Sequence, residues 1–290
     1  WWEVYNYYMQ APKEKSQRIL KSIFHRNSEG FIPAGLTSRL FGPKLRSSVS
    51  RLEKFAACPF AHFSAYGLRL EERTLYKLGA PDLGQFFHAS LKEFAEYLQE
   101  QKLEWSELSR ENCRTITSQV VEKLLPKLQN EILLSTNRYR YLSSKLKRIL
   151  ERSALVLTEH ARRGKFRPIG VELGFGVGEK LPPLICELGN GLTLELTGRI
   201  DRVDMAVGEK GNYFRIIDYK SSLQKLSLEE IYYGLKLQLL VYLEVILENA
   251  ASFGEGQGIP AGLLYFPVKD PLISAETPIS AEKLEEEILK

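Results

Sequence analysis

Cysteine is scarce in this sequence: three in 290 residues, Cys58, Cys113 and Cys186, odd in number and far apart. That count argues against a disulfide framework and for a reducing compartment. No apolar run is long enough to span a bilayer and no secretory leader is visible, so the expectation is a cytoplasmic protein without a membrane partner. No G-x-x-x-x-G-K-[ST] stretch occurs, and the glycines between 254 and 258 have no lysine to grip phosphates, so no ATP-driven motor of that kind is visible here. Excess charge of one sign is missing too. With 40 basic and 36 acidic residues the net charge is +4, too mild to announce a nucleic-acid partner unless the charges cluster. There is no internal repeat and no low-complexity tract. What remains is ordinary globular material, 44% hydrophobic and 26% charged, enough for one large domain or two small ones.

The chain opens on WWEVYNYYMQ rather than Met, with aromatics that have no partner segment nearby, which suggests a piece of a longer polypeptide. Residues 1–46 read as a helix followed by a Gly/Pro-punctuated loop, SEGFIPAGLTSRLFGPK. The pattern then turns helical. Ser50 and Glu53 have capping-box spacing before one helix, and Asp82 and Gln85 before a second. The second carries Phe87, Leu91, Phe94 and Leu98 as an apolar stripe. Two or three further helices fill 104–163.

After Pro168 the period changes from helical to alternating. IGVELGFGV, LTLELTGRIDRVDM and YFRIIDYK are short, rich in β-branched residues and separated by Gly, Asn or Pro, so they read as three successive strands. SLEEIYYGLKLQLLVYLEVILENA opens with a third capping box, Ser227 to Glu230, and reads as one helix, apolar nearly all round and so buried against a sheet. A Gly-rich hinge leads into a last strand, GLLYFPV. Three strands, a crossover helix and a fourth strand make an α/β protein with a mixed sheet.

RIIDYKSS carries the chemistry. Side chains two apart on a strand share a face, so Asp218 and Lys220 sit side by side. Asp201 ends the preceding run, LTGRID. If the two strands are neighbours, two carboxylates and an ammonium converge at one end of the sheet. A hard cation such as Mg²⁺ takes one or two carboxylates plus substrate phosphate, and a lysine beside it can orient water and stabilise transition-state charge. The pattern suggests metal-assisted phosphodiester hydrolysis. An Asp-x-Lys at a strand end is also a common ion pair, so the surrounding ensemble matters. His88 in GQFFH is either a ligand or a packed histidine. Glu172 in VELGFG is near the site or faces solvent. Asp204 is solvated or paired with arginine. Gln238 and Tyr242, four apart on one helical face, serve the site or simply satisfy each other.

Between Arg138 and Arg167 ten Lys/Arg face two Glu. Arg162, Arg163, Lys165 and Arg167 close that run, with Tyr139, Tyr141 and Phe166 interleaved for stacking on a single strand. Such a run is either a phosphate-binding surface or a solvated helix face.

These motifs together resemble the RecB-type branch of the PD-(D/E)XK nucleases. SVSRLEKFAACPFAHFSAYGL, APDLGQFFH and FRPIGVELGFG further resemble AddB-type nuclease domains of bacterial recombination, over about Arg46 to Val268. The resemblance implies a restriction-endonuclease-like mixed sheet core with a helical N-terminal region packed on it. It divides the chain into 1–46, a connector from an upstream helicase-like region; 47–167, a helical part carrying Cys58 and His88; 168–268, the nuclease core; and 269–290, a linker and helix. His88, Asp201, Asp218 and the Tyr219 carbonyl would hold Mg²⁺, Lys220 would be the catalytic lysine, and Glu172, Gln238 and Tyr242 would support them. The implied activity is a DNA exonuclease for double-strand break processing and homologous recombination, acting on the 5′-terminated strand alongside an AddA-type helicase-nuclease partner in a heterodimer. The alternative is a non-catalytic DNA-binding or scaffold module of the same complex. The family also implies a [4Fe–4S] cluster. Cys58 of ACPFAHF matches its first cysteine, but no C-terminal cysteine cluster follows in this sequence, so the other ligands would lie outside this chain or the cluster has been lost. Cys113 and Cys186 read as ordinary buried or partly exposed thiols.

Overall fold

The computed structural model of the protein describes residues 2–10, 14, 18, 21, 30–31, 33–71, 79–127, 137–189, 191–269 and 280. The helix expected near 281–290 lies outside the described residues. The chain divides into two units, Trp1–Pro43 and Lys44–Lys290. In the first, α1 (Trp2–Met9) and α2 (Ala34–Phe41) are described. The second of these replaces part of the expected loop. The Pro33 carbonyl accepts the N–H groups of Leu36 and Thr37, and Gly42 at φ +68° ends the helix.

The second unit begins with β1 (Lys44–Ser48) and α3 (Val49–Ala57). The cap of α3 is Ser48, whose hydroxyl accepts the Arg51 N–H at 3.3 Å, so the expected Ser50–Glu53 box does not form. Glu53 reaches instead to the backbone at Leu237 and Gln238. Next comes α4 (Ala80–Glu100), which starts from Gly79, and Asp82 is its third helical residue, accepting the Gly79 N–H at 2.7 Å. The expected Asp82–Gln85 box is therefore displaced by three residues. Along α4, Phe87, Leu91, Phe94 and Leu98 are all buried, packed with Trp105 against α5 (Arg110–Leu124) and α6 (Asn137–Arg163). Each such buried side chain contributes about 1.5–3 kcal/mol relative to exposure.

The strands are β2 (Arg167–Phe175), β3 (Leu184–Gly189), β4 (Leu192–Gly208) and β5 (Gly211–Lys220). A helical turn, α7 (Leu228–Tyr232), precedes α8 (Gln238–Glu248), and β6 (Gly258–Pro267) completes a six-stranded mixed sheet. The single long helix expected here is broken. Ser227 does cap α7, accepting the Glu230 N–H, but Gly234 at φ +74° ends that turn and lets the chain restart at Gln238. Two strands had no clear sequence signal, β1 because it is short and polar, and β3 because it sits in a stretch read as connection.

The axis of the sheet is β4. Its first half lies between β1 and β3, and its second half between β2 and β5. On the far side β5 pairs in parallel with β6. One sheet face carries α4, α5 and α6, with Ile217, Tyr219 and Phe266 buried among them. The opposite face buries Phe214 and Ile216 of β5 against Leu239, Tyr242, Val245 and Ile246 of α8. The result is helices on both sides of a mixed sheet.

A charged cluster sits inside the unit. Arg202 Nε donates to Asp204 Oδ1 at 2.6 Å, and Arg215 across the ladder donates to the other oxygen of Asp204. Asp204 is thus the arginine-paired acid of the two readings. The guanidinium of Arg202 lies over the Trp105 ring at 4.7 Å and that of Arg215 over Phe166 at 4.5 Å, which ties the sheet to the helical layer. Asp204 and Arg202 are both fully buried. Removing the acid strands the guanidinium, so Asp204→Ala should lower unfolding free energy by about 3–5 kcal/mol in urea titrations.

Candidate active site

The β4–β5 ladder runs from the Gly208–Gly211 pair to the Arg202–Ile217 pair and stops. Asp201 and Asp218 come next on their strands, where the two part. The Tyr219 N–H, left without a partner on β4, donates to Asp201 Oδ2 at 2.7 Å. Asp201 was expected at a strand end; it lies within β4, and the end is that of the pairing, not of the strand.

His88 reaches this point from α4. Its Nδ1 lies 3.2 Å from Asp201 Oδ1 and 3.5 Å from Glu172 Oε1. Bonding to Asp201 and then Glu172 pushes the imidazole pKa up to about 10. Ligand atoms of His88, Glu172 and Asp201 all lie within 4.8 Å of one another, forming the one cluster of this kind among the described residues. They open onto a cleft of about 540 Å³ also lined by Gln85 and Lys92, which stand on the His88 face of α4.

Glu172 enters through a break in strand alternation. Val171 packs against the helical layer, whereas Leu173, two residues on, packs on the α8 side. Between them Glu172 has φ +48°, a left-handed conformation costly for a residue with a Cβ. Strict alternation left its side open; the rotated backbone puts its carboxylate beside His88.

Asp218 and Lys220 do share a face of β5, the one toward α8. Lys220 Nζ stands 2.6 Å from Asp218 Oδ2 as an ion pair, while Asp218 Oδ1 is buried without a hydrogen-bond donor. Burial, and then the charge of Asp201, raise the Asp218 pKa to about 6. The lysine ammonium donates to Gln238 Oε1 at 3.0 Å, and Gln238 Nε2 donates to the Tyr242 hydroxyl at 3.0 Å. The Gln238–Tyr242 pair therefore satisfies itself and holds Lys220 at once. Tyr219 turns its ring the other way, into the helical core near His88 and Phe266.

The basic run is less uniform than its sequence. The Arg162 guanidinium donates to the Ser106 and Leu108 carbonyls and to Glu159. Arg167 donates to the carbonyls of Ala161, Gly164 and Phe166 behind the end of α6. Arg163 and Lys165 are exposed. The side chains of 138–140 lie outside the described residues. The three cysteines do not converge: Cys58 is exposed after α3, Cys113 is buried among the helices, and Cys186 is half-buried on β3.

Residues 46–289 match the PD-(D/E)XK nuclease superfamily. Residues 1–22 match the fifth domain of the ATP-dependent helicase/deoxyribonuclease AddB. The whole chain is 49% identical to an ATP-dependent helicase/deoxyribonuclease subunit of Pelotomaculum thermopropionicum and 47% identical to that of Bacillus subtilis, covering 25% of each. The chain thus spans about a quarter of the length of the curated relatives it matches.

The strain at Glu172 gives a stability test. Glycine relieves the left-handed backbone at some cost in unfolded-chain entropy, so Glu172→Gly should stabilise the metal-free protein by about 0.5–1 kcal/mol in urea unfolding. The same change removes one carboxylate from His88.

Proposed function

This chain belongs to the PD-(D/E)XK nuclease superfamily, and from that premise we propose that it is the Mg²⁺-dependent exonuclease domain of a DNA helicase-nuclease. The observation that carries the reading is Asp218: a carboxylate 1% exposed, with one oxygen paired to the Lys220 ammonium and the other without a hydrogen-bond donor, beside a second acid. Burying such a group costs folding energy unless something else compensates it. A scaffold module that only held DNA would have no use for it, which disfavours the non-catalytic alternative.

The residues fit a hard divalent cation. His88, Glu172 and Asp201, whose ligand atoms cluster, would offer a ring nitrogen and two carboxylates, and Asp218 and the Tyr219 carbonyl on the neighbouring strand would complete an oxygen-rich set of the kind Mg²⁺ accepts. When bound, the ion would polarise the phosphodiester and lower the pKa of a coordinated water. The protein's own groups do the rest. Gln238 fixes the Lys220 ammonium at the mouth of the acid pair, where it orients the attacking water and meets the negative charge that develops on the phosphoryl oxygens. Tyr242 fixes Gln238 in turn. Gln85 and Lys92 border the cleft through which the DNA backbone would approach His88.

The relatives are each named as one subunit of an ATP-dependent helicase/deoxyribonuclease, which supports a companion subunit; that the companion is of the AddA type, and that the pair serves double-strand break processing and recombination in the cytoplasm, is what the motif resemblance implies. Within that assembly this domain would cut the 5′-terminated strand, and residues 1–46 would connect it to the upstream region. End-labelled single- and double-stranded DNA, with and without Mg²⁺, tests cation requirement and polarity together. The cysteines fit a [4Fe–4S] cluster only in part. Cys58 could give one thiolate, the other three would have to come from outside these residues, and no step here rests on the cluster.

Asp218 and Lys220 should fail differently. Asp201→Ala or Asp218→Ala should abolish cleavage and weaken Mg²⁺ binding by calorimetry, because a hard cation loses one of few charged ligands. Lys220→Ala should slow cleavage about 10²–10³-fold while DNA affinity in Ca²⁺ and Mg²⁺ affinity stay near wild type. Wild-type cleavage by Lys220→Ala would refute the assignment.

The basic surface gives a separate test. With Arg162 and Arg167 committed to carbonyls, the phosphate contacts fall to Arg163 and Lys165. Reversing both to Glu should weaken DNA binding and reduce the slope of log K against log salt by about 1–2. An unchanged slope would assign the pair to a solvated face.

A further inference from the structure

The helix that carries Gln238 and Tyr242 starts without a cap of its own. Leu237 stands at its N-terminal boundary and offers no side-chain oxygen, which leaves the first N–H groups of α8 to find acceptors elsewhere. The acceptor comes from the other end of the unit. Glu53 Oε1 takes the Leu237 N–H at 2.7 Å and the Gln238 N–H at 3.1 Å, across 184 and 185 residues of sequence. The contact is built into the packing: a Cβ on Gly234, in the turn before α8, would stand 3.3 Å from the Ala56 side chain, so α3 and this turn lie against each other. From Gln238 the chain of contacts continues through its Oε1 to Lys220 Nζ at 3.0 Å, and Lys220 stands 2.6 Å from Asp218.

We infer that Glu53 is a positioning residue for the reaction, anchoring the first turn of α8 so that the Gln238 amide holds the Lys220 ammonium against the acid pair. This rests on the reading of Lys220 as the catalytic lysine. The carboxylate touches neither the acids nor the cleft and acts only through the backbone at Gln238. Its negative charge also suits a helix N-terminus, where the peptide dipoles present their positive end. Without it, two N–H groups lose their acceptor, the first turn of α8 is free to fray, and the Gln238 side chain loses its fixed start. Because Cys58 caps the C-terminal end of α3, whatever holds that residue also bears on the geometry of the lysine.

The test uses the full-length protein and compares Glu53→Ala, Glu53→Gln, Lys220→Ala and the Glu53→Ala/Lys220→Ala double variant. Glu53→Ala should lower kcat about tenfold, the worth of roughly one hydrogen bond in the transition state, with KM and DNA affinity in Ca²⁺ unchanged. Glu53→Gln keeps an oxygen acceptor and should restore most of the rate. In the Lys220→Ala background the Glu53→Ala change should have no further effect, since there is no ammonium left to place. Wild-type kcat in Glu53→Ala, or the same fractional loss with and without Lys220, would overturn the positioning role. If Glu53→Ala is unfolded at the assay temperature, Glu53→Asp carries the test: its carboxylate falls one methylene short, and a lowered kcat with intact Ca²⁺-supported DNA binding supports the role, whereas wild-type kcat refutes it. A Lys220→Ala variant that cleaves like wild type would instead bring down the reading of the site itself, and the positioning role with it.

Discussion

Two acids brought close together out of water, Asp201 and Asp218, are what the rest of this unit is arranged to accommodate. Each would prefer solvent, and burial together with the charge of Asp201 raises the cost of ionising Asp218. The fold meets that cost in pieces. A backbone N–H and an imidazole serve Asp201, and an ammonium serves one oxygen of Asp218 while the other has no donor. On the proposed reading that unmet part is what a cation would satisfy, because a group already fully hydrogen-bonded would have nothing left to give.

Rigidity around this pair comes from using the two faces of β5 for different purposes. Ile217 and Tyr219 are buried in the helical layer, so the strand cannot twist without disturbing that core. Their neighbours Asp218 and Lys220 are thereby held on the opposite face, where α8 supplies Gln238. The adjacent strand is fixed in a similar way by the buried Arg202–Asp204–Arg215 cluster and its stacking on Trp105 and Phe166. Packing that looks purely structural therefore sets the distance between the two acids, the kind of pre-organisation that the proposed chemistry would require.

Much of this is legible in residue order. Apolar stripes with a period near four place α4, and alternation places β4, β5 and β6, because burial on one face imposes those periods on any sequence. Asp218 and Lys220 can be paired because two residues on a regular strand share a side. Capping boxes are less dependable. Ser227 serves as read, but Ser50 loses to Ser48, and Asp82 acts not as the cap but as the third helical residue that takes the Gly79 N–H, since packing selects among nearby places for the helix to start. The charge run around α6 is equally ambiguous, for composition does not say whether a guanidinium meets phosphate or a carbonyl of its own chain.

Residue order alone therefore carries the kinds of element, the mixed sheet and the acid–lysine pair, all of which depend on neighbours a few residues apart. It took the folded arrangement to join Glu172 to His88, to break the apparent long helix at Gly234, and to make Glu53 the cap of a helix 185 residues away. The first depends on a left-handed φ that reverses strand alternation, the second on where the turn must pack, and the third on which of many carboxylates folding brings within about 3 Å of an orphan N–H. Local periodicity contains none of that information, because hydrogen bonds and charges respond to distance in space and not to separation along the chain.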